Sequence, residues 1–62
     1  MCQTTVYVLE KDEETAVLND VVSVVPEEEG IKVVNLFGEE KVVKGRIHRI
    51  DLLTHRITIL SK

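Results

Sequence analysis

A chain of 62 residues with a net charge of −3 has room for one small domain, here taken as residues 1–62. Its hydrophobic content is 44% but its aromatic content only 3%, so the core is expected to consist of valine, isoleucine and leucine. The single cysteine excludes an intrachain disulfide, one cysteine and two histidines fall short of a closed structural zinc site, and no apolar segment reaches membrane-spanning length.

The first half of the chain predicts three β-strands separated by charged turns. A run rich in Thr, Val and Tyr ends in the charged residues 10–14, which are interpreted as a turn. The residues from Ala16 could form one turn of helix, but the β-branched run that follows favours a strand. Pro26 and Gly30 flank a glutamate cluster that predicts a hairpin turn. The predicted strands are Gln3–Leu9, a segment from about Asp20 to Val25, and Ile31–Leu36.

The second half predicts two more strands and a bend. Gly38 and the two glutamates after it predict a turn, and a fourth strand begins at Lys41 with Gly45 inside it. The apolar period of two slips by one residue between Ile47 and Ile50, which indicates a bulge or sharp bend. The last strand is His55–Leu60. Five short strands joined by hairpin-length turns predict an all-β fold, a small antiparallel meander that curls into a barrel.

Several of these strands are apolar on both faces. The segments Val21–Val25 and Val33–Val34 cannot bury both of their rows inside one five-stranded barrel. An uncovered apolar row favours association, and two-fold symmetry is the commonest arrangement. The sequence therefore predicts a homodimer.

Charge is distributed unevenly along the chain. Residues 1–40 hold two lysines against ten acidic residues, a net charge of −8, whereas residues 41–62 hold six Lys or Arg against Asp51, a net charge of +5. Two explanations of this charge asymmetry are open. In one, acidic turns face basic strands within one domain, and in the other, residues 41–56 form a basic face that binds RNA or an acidic protein. Nucleic acid is disfavoured because the chain is acidic overall and offers only Tyr7 and Phe37 for base stacking. A protein-interaction module built on the valine rows stays open. The cations of the basic face are Lys41, Lys44, Arg46, Arg49 and Arg56.

The remaining polar residues do not predict an enzyme. The glutamate clusters lie in predicted turns, where solvation explains them better than acid–base catalysis. His48 shares a strand face with Lys44 and Arg46 and is interpreted as part of a solvated basic row. His55 alternates with apolar residues and is interpreted as a structural histidine at the end of an apolar face. Whether either histidine supports a metal site from a second layer stays open.

The only cysteine, Cys2, stands next to the amino terminus. The α-amine of Met1, the amide nitrogen of Cys2 and its thiolate can close two fused five-membered chelate rings around one ion. Such nitrogen and sulfur donors suit square-planar Ni(II) or Cu(II). The alternative is that Cys2 is a small buried hydrophobe, as free cysteines often are. A lone thiol also fits the cytoplasm, where thiols stay reduced.

Short motifs along the whole chain resemble the CooT-type family of small nickel-binding proteins, many of which also carry the label of predicted RNA-binding proteins. The resemblance implies a homodimer of small β-barrels and nickel delivery to carbon monoxide dehydrogenase, with Cys2 and the same cysteine of a partner chain binding Ni(II) at the dimer axis. The matching segments are Met1-Cys2, Val6-Tyr7, Asp20-Val21-Val22, Leu36-Phe37-Gly38-Glu39-Glu40, Gly45-Arg46-Ile47, Ile50-Asp51-Leu52 and His55-Arg56-Ile57.

Overall fold

The structure, a computed structural model, describes residues 3–62, so the predicted metal-binding residues Met1 and Cys2 lie outside the described residues. Every regular element between residues 3 and 62 is a β-strand, which confirms the all-β prediction. The strands are β1 (Thr5–Glu10), β2 (Glu13–Leu18), β3 (Val21–Glu27), β4 (Gly30–Asn35), β5 (Glu40–Val43), β6 (Gly45–Asp51) and β7 (Arg56–Ser61).

These seven strands form two sheets, and neither closes into a barrel. One sheet has the order β2-β1-β7-β6 and the other the order β3-β4-β5. Strands β1 and β7 are parallel, while the other pairs are antiparallel. The predicted five-stranded antiparallel meander that curls into a barrel is therefore wrong in strand number, in closure and in one strand pairing. The predicted homodimer remains a prediction.

The first error concerns β2, which the sequence analysis assigned partly to a charged turn. The turn consists only of Lys11 and Asp12, whose φ angles are +50° and +67°. Two consecutive positive φ angles are typical of the tight type I′ hairpin turn, which usually contains glycine or asparagine. Glu13 and Glu14 belong to β2, an edge strand, where charged side chains protect against further strand pairing.

The second error concerns the predicted fourth strand, which is two strands in different sheets. Gly45, with φ +153°, begins β6 directly after the corner at Lys44. A Cβ atom at Gly45 would collide with the backbone carbonyl of Leu60 in β7, so only glycine allows this close approach. The predicted irregularity after Ile47 is confirmed, because the β6–β7 register shifts between Ile47 and Arg49.

The hydrophobic core lies between the two sheets and consists of aliphatic side chains, as the composition predicted. The three-stranded sheet contributes alternate residues such as Val21 and Val33, while Val22 and Val25 stay exposed. This confirms that the monomer does not bury both valine rows. No helix of the described residues is long and apolar enough to cross a membrane. The buried core side chains are Val6, Leu18, Val21, Ile31, Val33 and Ile59.

Candidate functional site

Thr4 and Thr5, which follow the predicted metal-binding residues closely in the chain, are held by hydrogen bonds on both sides. The N–H of Val21 donates to the carbonyl of Thr4 at 2.9 Å, and the N–H of Thr5 donates to the carbonyl of His55 at 3.0 Å. The hydroxyl of Thr5 also donates to the side-chain oxygen of Asn19 at 3.2 Å. Because an extended residue spans at most about 3.6 Å, the Cα atoms of Cys2 and Thr4 are separated by no more than about 7 Å.

The loop between β4 and β5 lies beside this segment and is organised by Asn35. The N–H of Leu36 donates to the carbonyl of Asp20 at 2.9 Å, next to the bond between Val21 and Thr4. The buried Asn35 side chain accepts the N–H of Phe37 at 3.0 Å and of Glu39 at 2.9 Å, and it donates to the Glu39 carboxylate at 2.6 Å. These bonds fix a loop conformation in which the side chains of Leu36 and Phe37 lie outside the core.

The loop between β6 and β7 lies on the other side of the segment and is organised by Asp51. Its carboxylate accepts the N–H of Leu53 at 3.0 Å and of Thr54 at 3.1 Å. The hydrogen bond from the backbone N–H of Thr54 is the largest effect that lowers the pKa of Asp51. Hydrogen bonds from the backbone of Leu53 and the side chain of Thr54, and the positive charge of Arg49, lower it further. The carboxylate therefore acts as a cap for this turn when it is ionised.

Both loops expose large apolar side chains. The exposed fractions are 64% for Leu36, 77% for Phe37, 81% for Leu52 and 89% for Leu53. We call these four residues the apolar loops. From the sequence, Leu36, Phe37 and Leu52 were noted only within the segments that resemble the family, and Phe37 also as an aromatic side chain; their joint exposure was not predicted. A signal was present, because paired large apolar residues stand at or beside turn positions, where polar residues are the rule.

The two histidines do not assemble a metal site among residues 3–62. His48 is exposed at the β6 irregularity, as predicted for a solvated basic row. The interpretation of His55 as a structural histidine at the end of an apolar face is wrong, since it is exposed in the turn before β7 with a φ angle of +58°. Within the described part of the chain, no three His, Cys, Asp or Glu residues lie close enough to hold a metal ion. The predicted metal-binding residues, Met1 and Cys2, lie outside these described residues.

The cations of the predicted basic face do not form one free surface. The Lys41 ammonium donates to the carbonyl of Val17 at 3.1 Å, from the edge of the three-stranded sheet. The Arg49 guanidinium pairs with Asp51 at 3.3 Å.

Arg56 is also held by internal contacts. Its guanidinium forms an ion pair with Glu14 and lies 4.2 Å from the centre of the Tyr7 ring. The pair with Glu14 joins the basic second half of the chain to the acidic first half. These contacts favour the interpretation that the charge asymmetry is structural, and they weaken the RNA-binding alternative.

Comparisons with known proteins agree with the sequence resemblance. No curated protein sequence matches the chain. The chain is similar to a crystal structure described as that of a candidate CooT from Carboxydothermus hydrogenoformans, with 34% sequence identity, a TM-score of 0.90 and 98% of each chain covered. The family model for the CO dehydrogenase accessory protein CooT matches residues 1–60. The chain therefore belongs to the CooT family of CO dehydrogenase accessory proteins.

Proposed function

We propose that this protein binds Ni(II) through Cys2 and delivers it to a nickel enzyme such as carbon monoxide dehydrogenase. Membership in a family of CO dehydrogenase accessory proteins carries the proposal, because the family match begins at residue 1 and so includes the only thiol of the chain. We further propose that the protein acts in the cytoplasm, where thiols stay reduced, and that it carries the metal without catalysing a reaction.

The proposed site uses backbone and thiolate donors. Each chain offers the Cys2 thiolate and nearby backbone nitrogens, with the α-amine of Met1 as a further donor. Two thiolates and two nitrogens from two chains complete a four-ligand plane, which favours Ni(II) over tetrahedral Zn(II). The bonds that hold Thr4 and Thr5 support this arrangement, because they fix the point from which the donors extend.

This donor set has two chemical consequences. The thiol and the amide must lose protons to bind the metal, so nickel affinity is expected to rise with pH. Cu(II) binds such donors more tightly than Ni(II), so selectivity in a cell depends on which metal is available.

A titration of the reduced protein with Ni(II), followed by ultraviolet-visible absorption and native mass spectrometry, tests the binding step. We expect a thiolate-to-nickel charge-transfer band that saturates at one ion per two chains. Cys2→Ser should lose the band, whereas His48→Ala, at an exposed position on β6, should keep it. Nickel binding that is unchanged in Cys2→Ser, or absent from the wild type, would contradict the proposal.

The delivery step is tested separately. Nickel-loaded protein is mixed with nickel-free carbon monoxide dehydrogenase, the two are separated by size, and the metal content of each is measured. We expect nickel to move to the enzyme faster from the protein than from the same concentration of nickel held by a small-molecule chelator of matched affinity. Equal rates would argue against a delivery role while leaving the nickel site intact.

A further inference from the structure

We propose that the outer face of the four-stranded sheet binds an extended, acidic segment of a partner protein along β6 and β7. The cations that carry this inference are Arg46, Arg49 and Arg56, which the strand pairing places on one surface. The inference goes beyond the proposed function and does not rest on it, because none of these residues is a proposed nickel ligand. It narrows the basic 41–56 face of the sequence analysis to the arginines of this surface, which we call the arginine rows.

The irregularity in β6 brings Arg46 and Arg49 to the same face of the sheet. In a regular strand, residues three apart point to opposite faces. The register shift before Arg49 adds one residue, so that Arg46 pairs with Leu60 and Arg49 with Thr58. Leu60 and Thr58 lie on the outer face, because Ile59 between them is fully buried in the core. The bulge therefore places both arginines on the outer face, and bulges often re-aim side chains in this way at functional sites.

The arginine rows have the spacing of an extended peptide. Arg56 pairs with Asp51 in the row that follows Arg49 and Thr58. Successive rows are two residues apart along β7, which is about 6.6 Å of strand. An extended segment repeats the side chains of one face at the same distance. A segment with acidic residues at alternate positions can therefore place its carboxylates beside successive arginines.

Two clefts follow each other along these rows. One has a volume of about 450 Å³ and is lined by His48 and Thr58, among others. The other has the same volume, about 450 Å³, and lies at the row of Arg46 and Leu60. The half-buried Leu60 and the neighbouring Leu9 of β1 offer an apolar floor for the methylene groups of acidic side chains. The surface is therefore concave where an extended segment would lie.

The arginines keep donors for a ligand although two of them form ion pairs. The contacts of Arg49 with Asp51 and of Arg56 with Glu14 are made by Nη2 in each case. A guanidinium has five N–H donors in a fork that matches a carboxylate. The Arg49 side chain is 72% exposed, and Arg46 has no ion-pair partner within residues 3–62. Donors toward water therefore remain in the arginine rows.

The charge of this surface favours an acidic peptide over RNA. Three arginines lie here with two carboxylates, a net charge of +1 (3 − 2) on a chain whose net charge is −3. Glu14 and Asp51 would repel a continuous row of phosphates, whereas spaced carboxylates can lie between them. The Tyr7 ring is covered by the Arg56 guanidinium at 4.2 Å, so its face is not open to a nucleic acid base.

NMR titration of the isotope-labelled protein with synthetic peptides tests the inference. The probe is a short peptide in which glutamate alternates with threonine, and its control has the same composition with the glutamates in one block. Further ligands are a peptide with lysine in place of glutamate, inorganic phosphate and oligouridine. We expect the alternating peptide to bind most tightly, to shift the amide signals of β6 and β7, and to lose affinity as salt is added.

Matched variants locate the binding surface. Arg46→Gln combined with Arg49→Gln removes two cations of the arginine rows, and Lys32→Gln combined with Lys41→Gln removes two from the three-stranded sheet. All four side chains are at least partly exposed, so the fold should persist, which circular dichroism checks. We expect the arginine variant to bind the alternating peptide about tenfold more weakly and the lysine variant to differ from the wild type by less than about twofold.

Each result supports or overturns the inference. An alternating peptide that binds no more tightly than its block control, or that binds the arginine variant as well as the wild type, would overturn it. Tighter binding of oligouridine would overturn it in favour of nucleic acid, and equal binding of inorganic phosphate would overturn it in favour of a simple anion site. Peptide binding that persists in Cys2→Ser would support a surface independent of the nickel ligands, and its loss there would overturn that independence.

Discussion

The Asn35 side chain is the best single place to test how the β4–β5 loop is held. Its amide makes three hydrogen bonds, two with the backbone N–H groups of Phe37 and Glu39 and one with the Glu39 carboxylate. A neutral hydrogen bond contributes about 1 kcal/mol net and one to a charged group about 2 kcal/mol, so the upper limit for Asn35→Ala is about 4 kcal/mol. Because Phe37 and Glu39 are exposed, water can replace part of the lost bonding. We therefore expect a loss of about 3 kcal/mol in the free energy of unfolding.

The assay is urea denaturation followed by circular dichroism. It should be repeated at several protein concentrations, because association makes apparent stability concentration-dependent. Asn35→Asp is the informative companion variant: it keeps the acceptor for both N–H groups but places a second carboxylate against Glu39, 2.6 Å from the position of the Asn35 nitrogen. At neutral pH it should be destabilised by repulsion, and part of that loss should disappear under acidic conditions.

A loss below about 1 kcal/mol in Asn35→Ala would refute this reasoning. It would mean that the backbone bonds alone, from the N–H of Asn35 to the carbonyl of Glu39 at 3.0 Å and from the N–H of Gly38 to the carbonyl of Asn35 at 3.1 Å, hold the loop. The side chain of Asn35 would then contribute little to the positions of the exposed Leu36 and Phe37.

Ile59→Ala, at a fully buried position, should lower the free energy of unfolding by about 3 to 4 kcal/mol in urea denaturation, whereas Val42→Ala, at a position 54% exposed, should change it by less than about 0.5 kcal/mol. Gly45→Ala should prevent stable folding or lower the melting temperature far more than Gly38→Ala. A Cβ at Gly45 meets the backbone of β7, whereas a Cβ at Gly38 has nothing within 4 Å. Similar melting temperatures for the two variants would contradict this reasoning. The pKa of Asp51 is lowered in the folded state, so the stability that its carboxylate contributes is present above the unfolded pKa of about 4 and is lost as pH falls through the folded pKa. The difference in free energy of unfolding between wild type and Asp51→Asn should therefore shrink between pH 6 and pH 3. A constant difference would argue against the cap.

The parts of the fold that the sequence predicted correctly are those with strong local patterns. The β-branched run after Asp20 forms β3, and the mostly apolar segment after Gly30 forms β4. The slip in period after Ile47 marks the irregularity in β6, because a one-residue insertion moves every later side chain to the other face. Periodicity reports such features directly, since they depend only on neighbouring residues.

The parts that were missed depend on contacts between distant residues. The turn at Lys11 and Asp12 adopts two positive φ angles without glycine, so no residue type typical of this turn marked its position. The parallel pairing of β1 with β7 joins the two ends of the chain, and no local pattern encodes it. Gly45 resembled an interruption within one strand, and only the close approach of β7 shows why it divides two sheets.

For the candidate site, too, the sequence predicts the local chemistry but not the tertiary position. In the proposed site every donor atom comes from residues 1 and 2, so the ligand type could be inferred from the sequence, whereas the backbone bonds that hold Thr4 and Thr5 could not. The described residues contribute position rather than ligands: the bonds to Thr4 and Thr5 fix where the terminus begins, and the apolar loops lie on either side of it. In the proposed site a second chain would supply the second thiolate at a high effective concentration, which would strengthen metal binding without any additional donor. Nickel affinity per chain should therefore rise with protein concentration if two chains share the ion. Nickel titrations at several protein concentrations measure this dependence, and an affinity that does not change with concentration, with one ion per chain, would contradict the shared site.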